Sequence, residues 1–190
     1  AIQCFVLKGA SENRDVPVFL KHEMQDQVPS IKKENLKHHD FAKRSIQELF
    51  PGELLQKSIV REFNYCKSIV AVNEGNGKFT VKELPPQAQL SVINAMYFFD
   101  VNNDGLADLI TGGNNSGYLP QFGKLDASYG DVFLNNGKGD FTWLPSKETG
   151  LLVHGVVRDI VVVKGNAGSF LLFLRNNDFP VLYQFQAQNL

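Results

Sequence analysis

A nine-residue segment, Asp100–Asp108, carries the clearest chemical pattern in the chain. Oxygen-bearing side chains stand at its first, third, fifth and ninth positions, and Gly105 at the sixth position permits the sharp reversal that turns them inward. A hard cation that takes six or more oxygen ligands at about 2.3–2.6 Å suits such a loop. Three carboxylates this close also repel one another unless a cation lies among them. The predicted metal ligands are Asp100, Asn102, Asp104, Leu106 through its main-chain carbonyl, and Asp108.

Calcium is the ion that this loop predicts, because a flexible all-protein cage suits it better than the smaller magnesium ion. The loop differs from an EF-hand in two respects. Its twelfth position is Thr111, where an EF-hand needs a bidentate glutamate, and its flanks Ala95–Phe99 and Leu109–Thr111 have the pattern of strands. We therefore expect a β-hairpin calcium loop. The alternative is a turn without metal, since Asn, Asp and Gly are also the ordinary turn residues.

Short apolar runs with period-two patterning dominate the chain, which favours a mainly β fold. The 15 phenylalanines among 190 residues are typical of half-buried strand positions. Twelve strands are predicted, at Ile2–Leu7, Val16–Leu20, Ser68–Val72, Phe79–Leu84, Ala95–Phe99, Leu109–Thr111, Asp131–Leu134, Phe141–Leu144, Val153–Val157, Ile160–Val163, Phe170–Leu174 and Val181–Phe185. The spacing becomes helical from about Ile31 to Phe63, where Asp40 can cap one helix and Pro51 can open the next.

Two hairpin motifs repeat 62 residues apart, at Asn73–Phe79 and Asn135–Phe141, and both have the pattern N-x-G-x-G-x-F. In each motif the glycines can supply the positive φ that a tight turn requires. Arg175–Phe179 is a shortened third version that lacks both glycines. Self-similarity of this kind predicts repeated four-stranded antiparallel units, as in the blades of a β-propeller.

An aspartate also precedes an apolar run three times, at Asp15, Asp108 and Asp159, and we take each as the start of the second strand of a blade. The fold predicted for the single segment 1–190 is a partial β-propeller of about three four-stranded antiparallel blades, since closed propellers have about four to eight. The predicted blades are at about 1–85, 91–145 and 151–187, with a helical insertion at about 31–63. Only the loop before Asp108 keeps its acidic ligands, so one calcium site is expected.

Asp100–Ile110, DVNNDGLADLI, together with the paired hairpin motifs resembles the FG-GAP or VCBS repeats of integrin α-chain-type β-propellers. The order of elements around Asp131–Gly137 is similar to that of bacterial secreted or surface proteins related to cartilage acidic protein. The resemblance implies a calcium-stiffened propeller that is extracellular, at the cell surface or periplasmic, with its signal peptide outside this segment. It also implies a role in adhesion, ligand binding or scaffolding, and the five ligands named above match the family's motif.

Composition excludes several classes of function. The formal net charge of −1 gives no general attraction to nucleic acid or to an acidic membrane. No apolar run approaches the ~20 residues that span a bilayer. Cys4 and Cys66 are too few for a disulfide scaffold or a cysteine zinc site, and a bridge between them is left open. No H-E-x-x-H, G-x-S-x-G or P-loop pattern occurs, so a non-catalytic protein is expected.

The excursion Gly112–Gly130 carries three candidate ligand-binding residues, Tyr118, Phe122 and Tyr129. Their rings can stack on a sugar or on a protein partner, or they can pack against a neighbouring blade. We therefore expect a binding or scaffold module for a protein or glycan ligand. The alternatives are a carbohydrate-binding, lectin-like module and a non-catalytic part of a polysaccharide-acting enzyme. Open blade edges also leave self-association as an alternative.

Overall fold

The computed structural model describes residues 6–8, 15–61, 63–118, 123–166 and 168–184. The chain divides into two compact units, Ala1–Asn64 and Tyr65–Leu190. The described residues form eleven strands, six α-helices and one 3-10 helix, and all their strand pairings are antiparallel. The prediction of a mainly β protein is therefore confirmed. In the described part of the chain, no helix has the length and apolar character needed to cross a membrane.

The first unit joins a small sheet to a run of short helices. Strand β1 (Val6–Lys8) pairs with β2 (Asp15–Pro17). The helices that follow are α1 (Lys21–Gln27), α2 (Ser30–Glu34), α3 (His38–Ala42), α4 (Ile46–Leu49) and α5 (Gly52–Gln56). The longest has only 7 residues, and helices this short are not stable alone, so packing must hold them. Their shared buried core comprises Met24, Ile31, Phe41, Ile46, Leu49 and Phe50.

The helical segment begins and ends earlier than the predicted range of about 31–63. Helix α1 already starts after Leu20, whose N–H donates to Glu23 Oε2 at 2.7 Å in the manner of a capping box. The predicted strand Val16–Leu20 is therefore reduced to β2. Of the predicted strand Ile2–Leu7, the part up to Phe5 lies outside the described residues, and the rest belongs to β1.

Helix capping also differs from the prediction. Asp40 lies inside α3 and does not cap it. Ser45 instead caps α4, since its Oγ accepts the Glu48 N–H at 3.3 Å while its own N–H donates to Glu48 Oε2 at 2.7 Å. Pro51 directly precedes α5, one residue before the first-turn position that we predicted.

The second unit contains three antiparallel sheets in chain order. Its elements are β3 (Ile69–Gly75), β4 (Lys78–Glu83), a 3-10 helix (Pro86–Gln89), β5 (Ile93–Phe99), β6 (Asp108–Gly113), β7 (Asp131–Asn135), β8 (Phe141–Leu144), α6 (Ser146–Thr149), β9 (Val157–Gly165), β10 (Gly168–Arg175) and β11 (Val181–Gln184). Strands β3 and β4 form a hairpin. Strands β5 to β8 form a four-stranded meander, and β9 to β11 form a three-stranded one.

The four-stranded meander has an apolar core on each face. Because side chains alternate along a strand, Leu109 and its neighbour Ile110 enter different cores, and all six residues of β6 are buried. The core toward the β9–β11 sheet comprises Ala95, Ile110, Val132, Leu144, Leu151, Val153, Val157, Ile160, Leu171 and Phe173. The core toward the β3–β4 hairpin comprises Leu84, Ala88, Leu109 and Phe133. Lys82 of β4 adds a polar link, because its Nζ donates to the Lys138 carbonyl at 2.7 Å and lies 2.9 Å from Asp140 Oδ2.

Gly112 of β6 lies at a close approach between two sheets. A Cβ atom at this position would lie 2.6 Å from Val157 Cγ1 of β9, well inside van der Waals contact. The absence of a side chain at Gly112 therefore lets β9 lie directly against the centre of the meander.

The two repeated hairpin motifs form the β3–β4 and β7–β8 turns. In the first, the Gly75 N–H donates to Asn73 Oδ1 at 2.9 Å. In the second, the Gly137 N–H donates to Asn135 Oδ1 at the same distance, 2.9 Å. Both glycines of each motif have φ between +73° and +82°. The prediction that these glycines supply positive φ is confirmed. The two motifs share this hydrogen bond and the pairing of the first Asn with the Phe, but the ladder continues to Gly75 and Lys78 only in the first.

The first and third strand groups differ from the predicted four-stranded units. In the described residues, the first group forms two separate two-stranded sheets, because β2 pairs with β1 and β3 pairs with β4. In the third group, the two predicted strands Val153–Val157 and Ile160–Val163 are replaced by the single strand β9. The register shifts so that Leu174 pairs with Asp159 while Arg175 pairs with Val157. Arg158 and Asp159, the two residues between these predicted strands, thus lie inside β9 at a β-bulge.

Candidate functional site

The acidic loop joins the two neighbouring strands β5 and β6, with Phe99 and Asp108 facing each other across the ladder at its base. The predicted strands on both sides of the loop are confirmed. Gly105 has a φ of +85°, the left-handed conformation that the sharp reversal requires. The turn belongs to a β-hairpin, and the helices that flank an EF-hand loop are absent from this described region.

Asp100 and Asp104 organise the exposed side of the loop through backbone amides. Asp100 Oδ1 accepts the Asp104 N–H at 3.1 Å, and Asp100 Oδ2 accepts the Gly105 N–H at 2.9 Å. Asp104 Oδ1 accepts the Leu106 N–H at 2.7 Å, and Asp104 Oδ2 accepts from Asn102 Nδ2 at 3.0 Å. Each carboxylate oxygen therefore has one donor, which leaves further lone-pair capacity on every one of them.

Asp108 has a different position, because its side chain is completely buried. Its Oδ2 accepts the Val101 N–H at 2.9 Å, and its Oδ1 accepts the Asn135 N–H at 2.8 Å. Asn135 Nδ2 in turn donates to the Ala107 carbonyl at 3.0 Å. Asp108 thus connects the start of the acidic loop to the end of β7. Through Asn135, the β7–β8 turn is also attached to the acidic loop.

The charge of this loop has no basic partner, since no ion pair within the described residues involves Asp100, Asp104 or Asp108. The donor set of carboxylates, a carboxamide and a carbonyl has the hard oxygen chemistry that calcium prefers. No group of three or more His, Cys, Asp and Glu in the described residues is arranged to hold a metal ion.

The two aspartates that we took as equivalents of Asp108 have other surroundings. Asp15 Oδ2 accepts a hydrogen bond from Gln47 Nε2 at 3.0 Å. Asp159 lies within β9, and its Oδ1 accepts the Ile160 N–H at 2.9 Å. Arg158 donates from Nε to Asn176 Oδ1 at 3.3 Å.

A polar pocket of about 370 Å³ lies where three loops of the second unit meet. It is lined by residues 114–116, 124–126 and 129 of the β6–β7 excursion, by 154–156 before β9, and by 176–178 after β10. Among the predicted ligand-binding residues, Tyr129 lines this pocket, whereas Tyr118 is 44% exposed and does not. Phe122 lies outside the described residues.

Asn114 holds the walls of this pocket together. It is only 2% exposed, and its carboxamide makes four hydrogen bonds. Nδ2 donates to the carbonyls of Ser128 at 2.7 Å and Gly155 at 2.9 Å. Oδ1 accepts from Ser91 Oγ at 2.9 Å and from the Ser128 N–H at 3.0 Å. The excursion and the loop before β9 are therefore joined by one fully satisfied buried side chain.

An aromatic pair stands beside this polar anchor. The rings of Tyr129 and His154 are 5.1 Å apart and nearly perpendicular, at 81°. The Val153 N–H also donates to the Tyr129 carbonyl at 2.7 Å, so the two loops that carry the rings are bonded directly. Sequence reasoning identified Tyr129 but missed Asn114 and His154. The signal at Asn114 was its place in a Gly and Asn run, which is typical of positive φ, and its φ is +78°.

Comparison with known proteins finds no family model that matches the chain, and no similar curated protein or solved structure.

Proposed function

We propose that the chain is a non-catalytic, calcium-binding segment of β-propeller type that serves ligand binding, adhesion or scaffolding outside the cytoplasm. One observation carries this proposal: antiparallel sheets stack face to face in chain order, and the central, four-stranded meander has the acidic loop at its first turn. Four-stranded meanders stacked in this way are the units of a propeller.

Apolar side chains on the two outer sheets support the same proposal. On β3 and β4, Ile69, Val81 and Phe79 lie on one face and are 41%, 53% and 58% exposed. On the β9–β11 sheet, Leu174 and Leu182 share the outer face and are 38% and 53% exposed. Exposed apolar faces of this kind usually meet another protein surface. Further blades or a second copy of the chain would cover them.

Calcium is proposed for the acidic loop because the loop has three carboxylates and no basic partner in the described residues. A bound cation would supply the missing positive charge and fix the β5–β6 turn. Asp108 is already held in place by two backbone amides, and the carboxylate oxygens of Asp100 and Asp104, with one donor each, keep lone pairs for the ion. The residues proposed to hold the ion are Asp100, Asn102, Asp104, Leu106 through its carbonyl, and Asp108.

Thermal unfolding of the whole chain in calcium and in a chelator tests the metal proposal. Calcium should raise the melting temperature, since a ligand at a hundredfold excess over its Kd stabilises the folded state by about 2.7 kcal/mol. Asp104→Ala should abolish this response. Glu74→Gln, which removes an exposed carboxylate from the β3–β4 turn, should leave it unchanged. A melting temperature of the unsubstituted chain that is indifferent to both calcium and chelator would refute the calcium site.

A non-catalytic role is favoured even though two carboxylates, Asp126 and Asp178, line the same pocket. Asp178 Oδ2 pairs with the Arg175 guanidinium at 2.8 Å, and Asp178 Oδ1 accepts the Phe179 N–H at 2.7 Å. Both of its oxygens thus have donors, which leaves Asp126 as the single uncommitted carboxyl among the described lining residues, whereas a glycosidase uses two. Release of nitrophenol from nitrophenyl glycosides by the purified chain would overturn this part of the proposal.

A further inference from the structure

The pocket beside Tyr129 presents exposed polar groups that have no partner among the described residues. The Tyr129 hydroxyl, the Lys124 ammonium, the Asp126 carboxylate and the Asn177 side chain make no hydrogen bond or ion pair with any of the described residues. These groups include both donors and acceptors. A ligand with several hydroxyl groups, each able to donate and accept, would satisfy such a mixed set.

The charges that line this pocket balance one another. Lys124 and Asp126 have opposite signs, and Asp178 is neutralised by Arg175, which itself is not among the lining residues. Phosphate and carboxylate ligands are typically held by bidentate arginines, and no arginine is among the described residues that line this pocket. The charge balance therefore favours an uncharged, polar ligand.

The pocket also combines a flat apolar surface with rigid walls. The Tyr129 and His154 rings provide an aromatic edge and face against which the C–H face of a sugar ring can pack. Asn114, with its four internal hydrogen bonds, fixes both loops before any ligand arrives. Pre-formed walls reduce the entropy lost on binding.

We propose that this pocket binds one residue of a neutral saccharide, with Tyr129 as the stacking surface and Asn177 and Asp126 as hydrogen-bonding groups. The volume of about 370 Å³ lies at the small end of the range for ligand pockets, in keeping with a single sugar ring. This inference rests on the binding role proposed above and names the class of ligand.

Titration of the whole chain with methyl glycosides of glucose, mannose, galactose and N-acetylglucosamine tests the saccharide proposal. Binding is measured by saturation-transfer NMR and calorimetry. At least one neutral glycoside should bind, and added salt should not weaken it. Tyr129→Ala and Asn177→Gly should each weaken binding about tenfold, the effect of removing one good contact. Glycine is chosen at Asn177 because φ there is +55°, so the side chain is removed while the backbone conformation stays favourable.

Tyr118→Ala is the matched control, since it removes an exposed tyrosine of the same excursion that lies outside the pocket. Equal loss of binding in this control would contradict the proposal, as would no binding to any of the four glycosides. Tighter, salt-sensitive binding of glucose 6-phosphate would also overturn it. Asn177→Gly keeps the test decisive even if Tyr129→Ala does not fold.

A normal calcium response without sugar binding would refute only this inference, and sugar binding without a calcium response would refute only the metal site.

Discussion

The acidic loop and the polar pocket hold backbone groups in place by opposite chemistry. In the loop, Asp108 is buried and only accepts hydrogen bonds, from the N–H groups of Val101 and Asn135. In the pocket, Asn114 is also buried, but it donates two hydrogen bonds as well as accepting two. The loop is thus left with net negative charge, while the pocket is neutral.

This difference decides what each region can bind. A site built only from acceptors attracts a cation, because nothing else offsets the repulsion among its carboxylates. A site whose donors and acceptors balance attracts a neutral polar molecule. Since Asp and Asn have almost the same shape, exchanging one for the other changes the chemistry of each region with little effect on packing.

Asn114→Asp should have the largest effect. The new carboxylate would face the carbonyls of Ser128 and Gly155, to which Asn114 now donates at 2.7 and 2.9 Å. We expect a loss of about 4 kcal/mol of unfolding free energy at neutral pH, because two buried hydrogen bonds become repulsive. Burial raises the pKa of such a carboxyl above its unfolded value, so the loss should shrink as pH falls and the acid form donates again.

Urea unfolding at neutral and mildly acidic pH measures this effect. Asn115→Asp is the control, because the Asn115 side chain accepts the Gly117 N–H and a carboxylate can do the same. If Asn114→Asp were no more destabilising than Asn115→Asp, the role of Asn114 as the connection between the pocket walls would be wrong.

Asp108→Asn should have the second largest effect. We expect it to lower the free energy of unfolding by about 2 kcal/mol. A carboxamide has one oxygen, so only one of the two amides now bound by Asp108 would keep its acceptor. Asp104→Asn is the matched exposed exchange in the same loop and should cost much less. Amide hydrogen exchange at Val101 and Asn135 would locate the effect, with faster exchange expected for the amide that loses its partner. Unchanged protection at both amides would contradict the assignment.

The smallest effect concerns a carboxylate that does have a cationic partner. Lys82 lowers the pKa of Asp140 below its ordinary value, with Asn136 as a second cause. Because the folded pKa lies below the unfolded one, the stabilisation is present above the unfolded value and is lost as pH falls through the folded one. Lys82→Met should therefore reduce the melting temperature slightly at neutral pH and by less in strong acid, where only the hydrogen bond to the Lys138 carbonyl is lost. A Lys82→Met difference that grew on acidification would reverse the sign and disprove this account.

The sequence was informative wherever a local pattern decides the structure. The two N-x-G-x-G-x-F motifs predict their own turns, because glycine is the residue that adopts positive φ without strain. The acidic loop likewise lies between strands as predicted, since its Gly105 and Asx residues define a turn by themselves.

The sequence predictions were wrong where contacts between residues far apart in the chain determine the structure. Nothing local to Arg158 and Asp159 distinguishes a bulge within one strand from a break between two strands, because the bulge depends on the pairing of β9 with β10. The division of the first strand group into two sheets likewise depends on the separate core of the helices, around Met24 and Phe41. The pocket was only partly predicted for the same reason. Tyr129 and His154 are 25 positions apart in the chain, and their contact follows from packing.

The bonding of Asn114 has a practical consequence for producing the protein. Asn114-Asn115-Ser116 has the N-x-S form of an N-glycosylation acceptor, yet the nitrogen that would carry the glycan is buried and donates two hydrogen bonds. In a eukaryotic secretory host, a glycan attached before folding would occupy the nitrogen that the finished fold needs and would trap the chain unfolded. A bacterial host, or Ser116→Ala, which removes the acceptor signal and keeps Asn114, avoids that outcome.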